Sequence, residues 1–132
     1  RFVPEFSNLG APGGGITVKP LRRALVEDEA LLKEHLTRHA DTGKNGFSAL
    51  NTAFIQDGAV IAVPDGAEID KPVNVVYLVN TASKVFGWNP RTLLVLGKNA
   101  RATVIETYFG TDGTEYFTNA ITEAAVGAAI TT

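Results

Sequence analysis

Short runs of apolar residues, broken by turns, fill the C-terminal part of the chain. After residue 47 these runs are rich in β-branched and aromatic residues, and Asp-Gly, Pro or Asn-Pro steps separate them. Such runs predict strands rather than helices. The predicted strands lie at 59–63, 73–79, 92–96, 102–109 and 116–122. The pattern therefore predicts a mainly β fold for this part of the chain.

Three apolar runs end in a turn of small residues that closes on an alanine. The closing residues are Ala67, Ala100 and Ala128, so the turns recur after 33 and then 28 residues. A recurrence of this length is typical of a solenoid, in which each coil buries its apolar face against the next. We therefore predict stacked coils over residues 47–132.

The N-terminal part of the chain follows a different pattern. A short strand is predicted at 16–18, and a Gly/Pro-rich loop at 10–15 precedes it. Four leucines at positions 21, 25, 32 and 36 recur with the period of one helix face. Pro20 suits the first helical turn, where its missing N–H is not needed. We predict one amphipathic helix over about 20–40, ended by the turn-rich segment 41–46.

Composition limits the classes of function. The 132 residues carry a net charge of −2, so no basic surface invites nucleic acid. The chain has no cysteine, which excludes a thiolate metal site or cysteine-bound iron–sulfur cluster within these residues. No apolar run approaches the roughly 18 residues of a membrane span. The absence of methionine favours a piece of a longer protein. We expect a soluble chain without nucleic-acid or membrane partners.

Glycine-lysine pairs raise the possibility of a phosphate-binding loop. A P-loop needs Ser or Thr directly after the lysine to hold Mg²⁺. Asn45 follows Lys44, and Asn99 follows Lys98. We interpret both pairs, and the run 13–15, as turns or linkers.

His35 and His39 are four residues apart, a spacing that can place two imidazoles on one metal ion. The zincin motif would need a glutamate directly after the first histidine, but Leu36 stands there and Glu34 lies on the other side. We interpret the pair as part of a solvated helix face.

Four acidic residues could supply the carboxylate pair of a glycoside-cleaving site, namely Glu106, Asp112, Glu115 and Glu123. We interpret them as rim or turn charges.

The segment 88–91 places a tryptophan and an arginine around a turn proline. Both residue types are enriched at interface hot spots, yet a tryptophan that caps the core at the start of a strand is the favoured interpretation.

Long segments of the chain resemble the SufB/SufD family of iron–sulfur cluster assembly proteins, with the balance favouring SufD. The segments are FSALNTAFIQDG at 47–58, NPRTLLVLGKNARATVIETYFG at 89–110 and YFTNAITEAAVGAA at 116–129. The opening RFVPEFS is similar to the strand that precedes the family's core domain. The resemblance therefore covers nearly the whole chain.

The resemblance implies a fold, partners and a task. The family's core is a right-handed parallel β-helix within a protein about three times this long. SufB and SufD form a heterodimer that binds two copies of the SufC ATPase, and the complex builds a nascent cluster for transfer to apo-proteins. The family's cluster-binding and ATPase-docking residues lie toward its C-terminal end. We therefore assign no catalytic, cofactor-binding or metal-binding residue here. Asn89 and Thr107 stand where the family often has histidines.

The combined expectation is a SufD-like scaffold subunit of a SufBCD-type complex, and not an enzyme by itself. Its fold would be mainly β, with the opening coils of a right-handed parallel β-helix preceded by a short strand and one α-helix. We divide the chain into an N-terminal region, 1–46, and truncated β-helix coils, 47–132. The partners would be a SufB-like paralogue and a SufC-like ATPase, with self-association through exposed coil edges. The location would be the cytoplasm, or the plastid stroma in a photosynthetic eukaryote.

Two other classes stay open at this point. A carbohydrate-active β-helix of the polysaccharide-lyase type would need converging acids or bound calcium along one strand face. A hexapeptide acyltransferase helix would need an apolar residue every six positions. The spacings of 28 and 33 residues argue against the second class.

Overall fold

The computed structural model describes residues 2–8, 13–80 and 85–128. Short 3₁₀ turns lie at Pro4–Phe6 and Gly13–Gly15. The helices are α1 (Leu21–Glu27), α2 (Glu29–His35) and α3 (Gly46–Ala53). The strands are β1 (Thr17–Pro20), β2 (Gly58–Val63), β3 (Val73–Val79), β4 (Val85–Trp88), β5 (Arg91–Leu96), β6 (Val104–Gly110), β7 (Glu115–Thr118) and β8 (Ile121–Val126). None of the described helices has the length and apolar character needed to cross a membrane.

The strands form three sheets. The largest has the order β1-β2-β5-β8, and the two smaller ones pair β3 with β6 and β4 with β7. Strands β2, β5 and β8 run parallel, with Val60 opposite Leu93 and Leu93 opposite Glu123. Both smaller sheets are also parallel. Strand β1 runs antiparallel to β2, so the largest sheet is mixed.

The predicted right-handed parallel β-helix with one preceding helix is wrong as a description of this fold. The described residues form three separate sheets, of which one is mixed, and three short α-helices. Hydrophobic period and turn spacing locate strands along the chain, but they do not determine the direction in which a neighbouring strand runs. The short strand predicted at 16–18 corresponds to β1, but the sequence pattern did not show that it joins the largest sheet antiparallel to β2. The division of the chain at residue 46 stays a prediction.

The single helix predicted over 20–40 is two helices. Asp28 separates them with non-helical backbone angles, φ −129° and ψ 38°. Lys19 in β1 donates to the Asp28 carboxylate at 2.7 Å, which gives this short polar side chain a partner outside the helix. Leu25, within α1, is 52% exposed, whereas Leu21 and Leu32 are buried.

Most of the predicted strands are present. The strand at 73–79 has the predicted bounds, whereas 116–122 divides into β7 and β8. Strand β4 and helix α3 were not predicted. Asn45 is the N-cap of the short helix α3, and its side-chain oxygen accepts from the Phe47 N–H at 2.9 Å. Its eight residues are too few to show a long helical period in the sequence. Part of the loop predicted at 10–15 lies outside the described residues.

Strand β2 in the largest sheet is covered on both faces. On one face, Leu21, Ala24 and Leu32 of the helices pack with Val60 and Leu93. On the other face a second cluster contains Ile16, Ile61, Val63 and Ile69. Because both faces are covered, strand β2 reads as a continuous apolar run, GAVIAV, rather than as an alternating one.

Candidate functional site

A buried ion pair joins the two later strands of the largest sheet. Arg91 is the first residue of β5, and its side chain and that of Glu123 in β8 are both 0% exposed. Arg91 donates through Nε to Glu123 Oε1 at 2.7 Å, and its Nη2 lies 2.6 Å from the same oxygen. The Nη1 atom donates to Asn51 Oδ1 at 2.9 Å. A buried arginine and carboxylate each need such partners to offset the cost of losing water.

Glu123 also holds the loop that follows α2. Its Oε1 accepts from the Thr37 backbone N–H at 2.9 Å, and its Oε2 accepts from those of His39 at 2.9 Å and Ala40 at 3.3 Å. Burial by itself would raise the pKa of the Glu123 carboxyl. The hydrogen bonds from His39, Thr37 and Arg91 outweigh burial and lower this pKa. The carboxylate is therefore kept ionised and ties the loop to β8.

Asn51 extends this polar contact to α3. It is fully buried, and its Nδ2 donates to the carbonyl oxygens of Pro90 at 3.0 Å and Asn119 at 2.6 Å. Asn119 Nδ2 donates in turn to the Phe47 carbonyl at 2.8 Å and to Asn89 Oδ1 at 3.0 Å. These amides connect helix α3 to the turns that precede β5 and β8.

A second polar cluster brings together side chains from all three sheets. Tyr77 OH lies 2.7 Å from Thr92 Oγ1. The Thr92 hydroxyl donates to Glu106 Oε1, and the Thr122 hydroxyl donates to Glu106 Oε2 at 2.6 Å. In the third sheet, Trp88 meets the Tyr77 ring edge-on, with 5.6 Å between ring centroids. The cluster is a row of hydroxyl groups that ends on one carboxylate.

Two tyrosines of this cluster stay protonated over the physiological range. Burial raises the pKa of Tyr77 to about 12, although its hydrogen bond with Thr92 acts in the opposite direction. Burial also raises the pKa of Tyr108, and the nearby Glu106 charge adds to this effect. The two rings stack, with centroids 5.0 Å apart and an interplanar angle of 14°. Tyr77 therefore acts as a neutral hydrogen-bonding and packing group.

The polar side chains of these two clusters form hydrogen bonds with one another. Each hydroxyl in the Tyr77, Thr92, Glu106 and Thr122 row is engaged with another member of the row. Nucleophilic catalysis requires a nucleophile next to a base that a third group orients. In the part of the chain that the structure describes, the hydrogen bonds of this row join a carboxylate and hydroxyl groups. The arrangement suits a rigid framework.

The four acidic candidates do not form one site in the described structure. Glu123 is buried with Arg91, whereas Glu106 bonds Thr92 and Thr122 between the sheets. Asp112 and Glu115 are exposed around the β6–β7 turn. The prediction of a rim or turn charge is therefore confirmed for the latter two and wrong for Glu123. This scatter also counts against the polysaccharide-lyase alternative.

The favoured interpretation of segment 88–91 is confirmed in part: Asn89 and Pro90 lead into β5, and Trp88 is half-buried, but it ends β4 instead of beginning a strand. Trp88 Nε1 donates to Thr118 Oγ1 at 2.7 Å, and the ring packs against Tyr77. Arg91 is completely buried, so it offers no surface for a partner. Asn89, at a position where the family often has histidine, accepts the hydrogen bond from Asn119.

His35 and His39 meet although the helix ends at the first of them. His35 Nδ1 lies 3.2 Å from His39 Nε2, and the rings stack with centroids 5.5 Å apart. The His35 side chain is 17% exposed, so the prediction of a solvated helix face is wrong for this residue, whereas His39 is exposed. The described residues contain no group of three or more potential ligands that could hold a metal ion.

The glycine-lysine pairs are turns, as predicted. Gly97 follows β5, and the Lys98 N–H donates to Asp65 Oδ1 at 2.7 Å. A cleft of about 280 Å³ lies beside this turn, between His35 of α2 and the ends of β5 and β8. Lys44 and Asn45 precede α3 and line a shallow cleft together with Phe47 and Leu50.

Sequence reasoning missed the residues that connect the elements. Asn51, Thr92 and Tyr77 received no role, yet each is buried and hydrogen-bonded. One sequence feature could have indicated such residues: Arg91 and Thr92 are polar, yet they directly precede the apolar run LLVL. A polar residue in such a position needs a buried partner, but the sequence does not identify that partner.

Comparison with known proteins gives consistent matches. Residues 1–75 match the family model described as the SufBD protein N-terminal region. The chain is 30% identical to an iron–sulfur cluster assembly SufBD family protein of Synechocystis, over 96% of this chain and 29% of that protein. It is 31% identical to the iron–sulfur cluster assembly protein SufB of Bacillus subtilis, over 85% of this chain and 23% of that protein. The chain thus spans less than a third of the length of these relatives.

Proposed function

Because this chain belongs to the SufB/SufD family of iron–sulfur cluster assembly proteins, we propose that it acts as a scaffold in building these clusters. The match of residues 1–75 to the family's N-terminal region carries the proposal. The relatives from Synechocystis and Bacillus subtilis are named for the same process. The chain would contribute to it as part of a SufD-like subunit, without catalysing a reaction by itself.

The internal contacts of the described residues favour a scaffold role. The charged and polar groups of the interior bond to one another, as Arg91 does with Glu123 and Asn51. Hydroxyl contacts through Thr92 and Glu106 join the largest sheet to the β3–β6 sheet, and Trp88 of the third sheet packs against Tyr77. Hydrogen bonds between side chains of different sheets resist relative movement of those sheets. A body of this kind is suited to holding partners in a fixed arrangement.

The proposed partners are a SufB-like paralogue and a SufC-like ATPase in the cytoplasm or plastid stroma. ATP would bind to the ATPase partner, and the iron–sulfur cluster would be cargo of the whole complex rather than a resident group of these residues. Self-association through exposed strand edges stays a prediction. Strands β6, β7 and β8 each stand last in their sheets, and such edges can accept a further strand.

Co-purification tests the proposal. The full-length protein, carrying an affinity tag, would be co-expressed with the SufB-like and SufC-like proteins of the same organism. We expect a complex that contains all three proteins and survives size-exclusion chromatography. The complex should transfer a cluster to an apo-ferredoxin when ATP is supplied, whereas the isolated subunit should not. Absence of a complex under native conditions would contradict the proposal.

A further inference from the structure

Three aromatic rings form a row from the third sheet to the protein surface. The Tyr77 ring meets Trp88 edge-on, with 5.6 Å between ring centroids, and it stacks on Tyr108 with centroids 5.0 Å apart. Tyr77 is 9% exposed, whereas Tyr108 is 40% exposed. Aromatic rings in contact allow an electron to pass from one ring to the next. The row therefore offers a path for single electrons between Trp88 and the surface.

The hydrogen bonds around Tyr77 have a determined direction. The Thr92 hydroxyl donates to Glu106 Oε1, and the Thr122 hydroxyl donates to Glu106 Oε2 at 2.6 Å. A hydroxyl has only one proton to donate. The Thr92 oxygen therefore accepts in its 2.7 Å contact with Tyr77 OH, and the phenol is the donor. A continuous chain of hydrogen bonds thus leads from the Tyr77 phenol to one carboxylate.

This chain of hydrogen bonds supplies what the oxidation of a buried phenol needs. Removal of one electron turns a phenol into a strong acid, so its proton must leave at the same time. Burial raises the pKa of Tyr77 to about 12, so the phenol still carries its proton when it is oxidised. The 2.7 Å contact with Thr92 lies within the range over which a proton passes to an acceptor. Glu106 is the base at the end of this path.

We propose that Trp88, Tyr77 and Tyr108 form a radical-transfer path to the protein surface, with Glu106 as the proton acceptor for Tyr77. The partner at Trp88 is a small one-electron oxidant, which the half-buried indole admits. This activity is independent of the proposed scaffold role.

Electrons and protons balance in the first two steps. The oxidant takes one electron from Trp88, whose Nε1 proton leaves to solvent past the Thr118 hydroxyl that accepts it at 2.7 Å. Tyr77 then gives one electron to the Trp88 radical, which regains a proton from solvent. At the same time the phenolic proton moves to the Thr92 oxygen, and the Thr92 proton moves to Glu106.

The last step brings the radical to the surface. Tyr108 gives one electron to the Tyr77 radical and releases its own phenolic proton to water. The proton on Glu106 returns to Tyr77 through Thr92. A soluble reductant such as ascorbate then restores Tyr108 with one electron and one proton.

Pulse radiolysis of the full-length protein tests the path. Azide radicals oxidise tryptophan by one electron, and the tryptophan radical and the tyrosine phenoxyl radical have separate absorption bands. Only signals that Trp88→Phe removes are assigned to the row. For these we expect the tryptophan band to decay while the phenoxyl band rises at the same first-order rate. Tyr77→Phe keeps the ring but cannot form the phenoxyl radical, so this rise should be lost.

The proton path has its own variants. Glu106→Gln keeps an acceptor oxygen but is too weak a base to take the proton, so transfer should slow at least about tenfold. Thr92→Ser keeps the hydroxyl and should transfer like the wild type, whereas Thr92→Val should be slow. Transfer in the wild type should also slow in D₂O. An unchanged rate in Glu106→Gln, or the same wild-type rate in H₂O and D₂O, would overturn the proposed proton path.

Tyr116→Phe is the matched control, because this tyrosine is 44% exposed and lies on β7 rather than in the row. It should transfer like the wild type. In Tyr108→Phe the phenoxyl radical should remain on Tyr77 and react more slowly with ascorbate. An unchanged phenoxyl rise in Tyr77→Phe, or equal reaction with ascorbate in Tyr108→Phe, would overturn the proposal. Circular dichroism would verify that all variants are folded.

Discussion

Arg91 and Glu123 form a completely buried ion pair, with 2.6 Å between Nη2 and Oε1. The two residues belong to adjacent parallel strands, and the pair extends to α3 through Asn51 and to the loop after α2 through Thr37 and His39. One ion pair therefore connects a sheet with two segments that cover it. The predictions about stability begin from this relationship.

Removal of one partner should strongly destabilise the protein. In Glu123→Ala the Arg91 guanidinium stays buried without its counter-charge, and three backbone N–H groups lose their acceptor. We expect the free energy of unfolding to fall by about 3–5 kcal/mol. Urea denaturation followed by circular dichroism measures this change.

The exposed pair Arg101 and Glu68 provides the matched control. Their side chains are 81% and 64% exposed, with 3.3 Å between nitrogen and oxygen. Glu68→Ala should change stability little, because water already solvates both charges. Replacing Arg91 and Glu123 together with Met and Leu should cost less than Glu123→Ala. Equal losses at the buried and exposed glutamates would contradict the assigned role.

The Glu123 carboxyl should make stability depend on acid pH. Its pKa in the folded protein is below the ordinary value of 4.5. The stabilising contribution is therefore complete above pH 4.5 and is lost as the pH falls through the lower folded-state pKa. Glu123→Gln cannot titrate and should show a flatter decline. Melting temperature measured across acid pH tests this, and identical slopes for the two proteins would contradict it.

Glycine is required where the turn after β8 approaches the turn after β5, and where the turn after β5 approaches the turn after β2. A Cβ atom on Gly127 would lie 2.7 Å from the Lys98 backbone nitrogen, and one on Gly97 would lie 2.5 Å from that of Asp65. Because both neighbours are backbone atoms, the strands must shift. We expect Gly127→Ala to cost about 1–3 kcal/mol, measured by thermal unfolding.

Gly87 provides the control for the glycine substitutions. A Cβ atom at this position would meet no atom within 4 Å, and its φ is not in the left-handed region. Gly87→Ala in strand β4 should therefore leave the melting temperature unchanged or raise it slightly. A similar loss in Gly87→Ala and Gly127→Ala would show that close approach is not the cause.

Tyr77 should make the protein sensitive to alkaline pH. Burial raises the pKa of this phenol from 10.0 to about 12. The stability linked to its protonated form is complete below pH 10.0 and is lost as the pH rises toward about 12. Absorbance at the phenolate band should show delayed ionisation of two phenols, Tyr77 and Tyr108, and Tyr77→Phe should remove the contribution of one of them. Tyr77→Phe should also reduce the alkaline loss of stability, and an unchanged absorbance titration would contradict this assignment.

Local patterns predicted the strands better than the helices. The runs at 73–79 and 59–63 correspond closely to β3 and β2, because β-branched residues bounded by turns mark strands locally. The prediction of one helix over 20–40 was wrong because the helix breaks at Asp28, whose carboxylate accepts a hydrogen bond from Lys19 in β1. The leucine period continues across the break, so it could not show that the helix ends there.

The polar core was the least predictable part. Glu123 has the same local surroundings as a surface glutamate, with alanine and threonine beside it in the sequence. Its partner Arg91 is 32 residues away, and its backbone donors are more than 80 residues away. Contacts of this range depend on the register of β5 against β8, which no single segment encodes.

The sequence by itself determined the family, most strand positions and the turns that need small residues, because these depend on neighbouring residues and on long matching segments. Only the tertiary structure decided that β1 is antiparallel, that Asp28 interrupts the helix, and that Arg91 and Glu123 neutralise each other in the interior. It also brought His35 and His39 together beyond the end of α2. The physical reason is that burial and charge pairing are properties of residues distant in sequence, and they arise only when the sheets and helices pack.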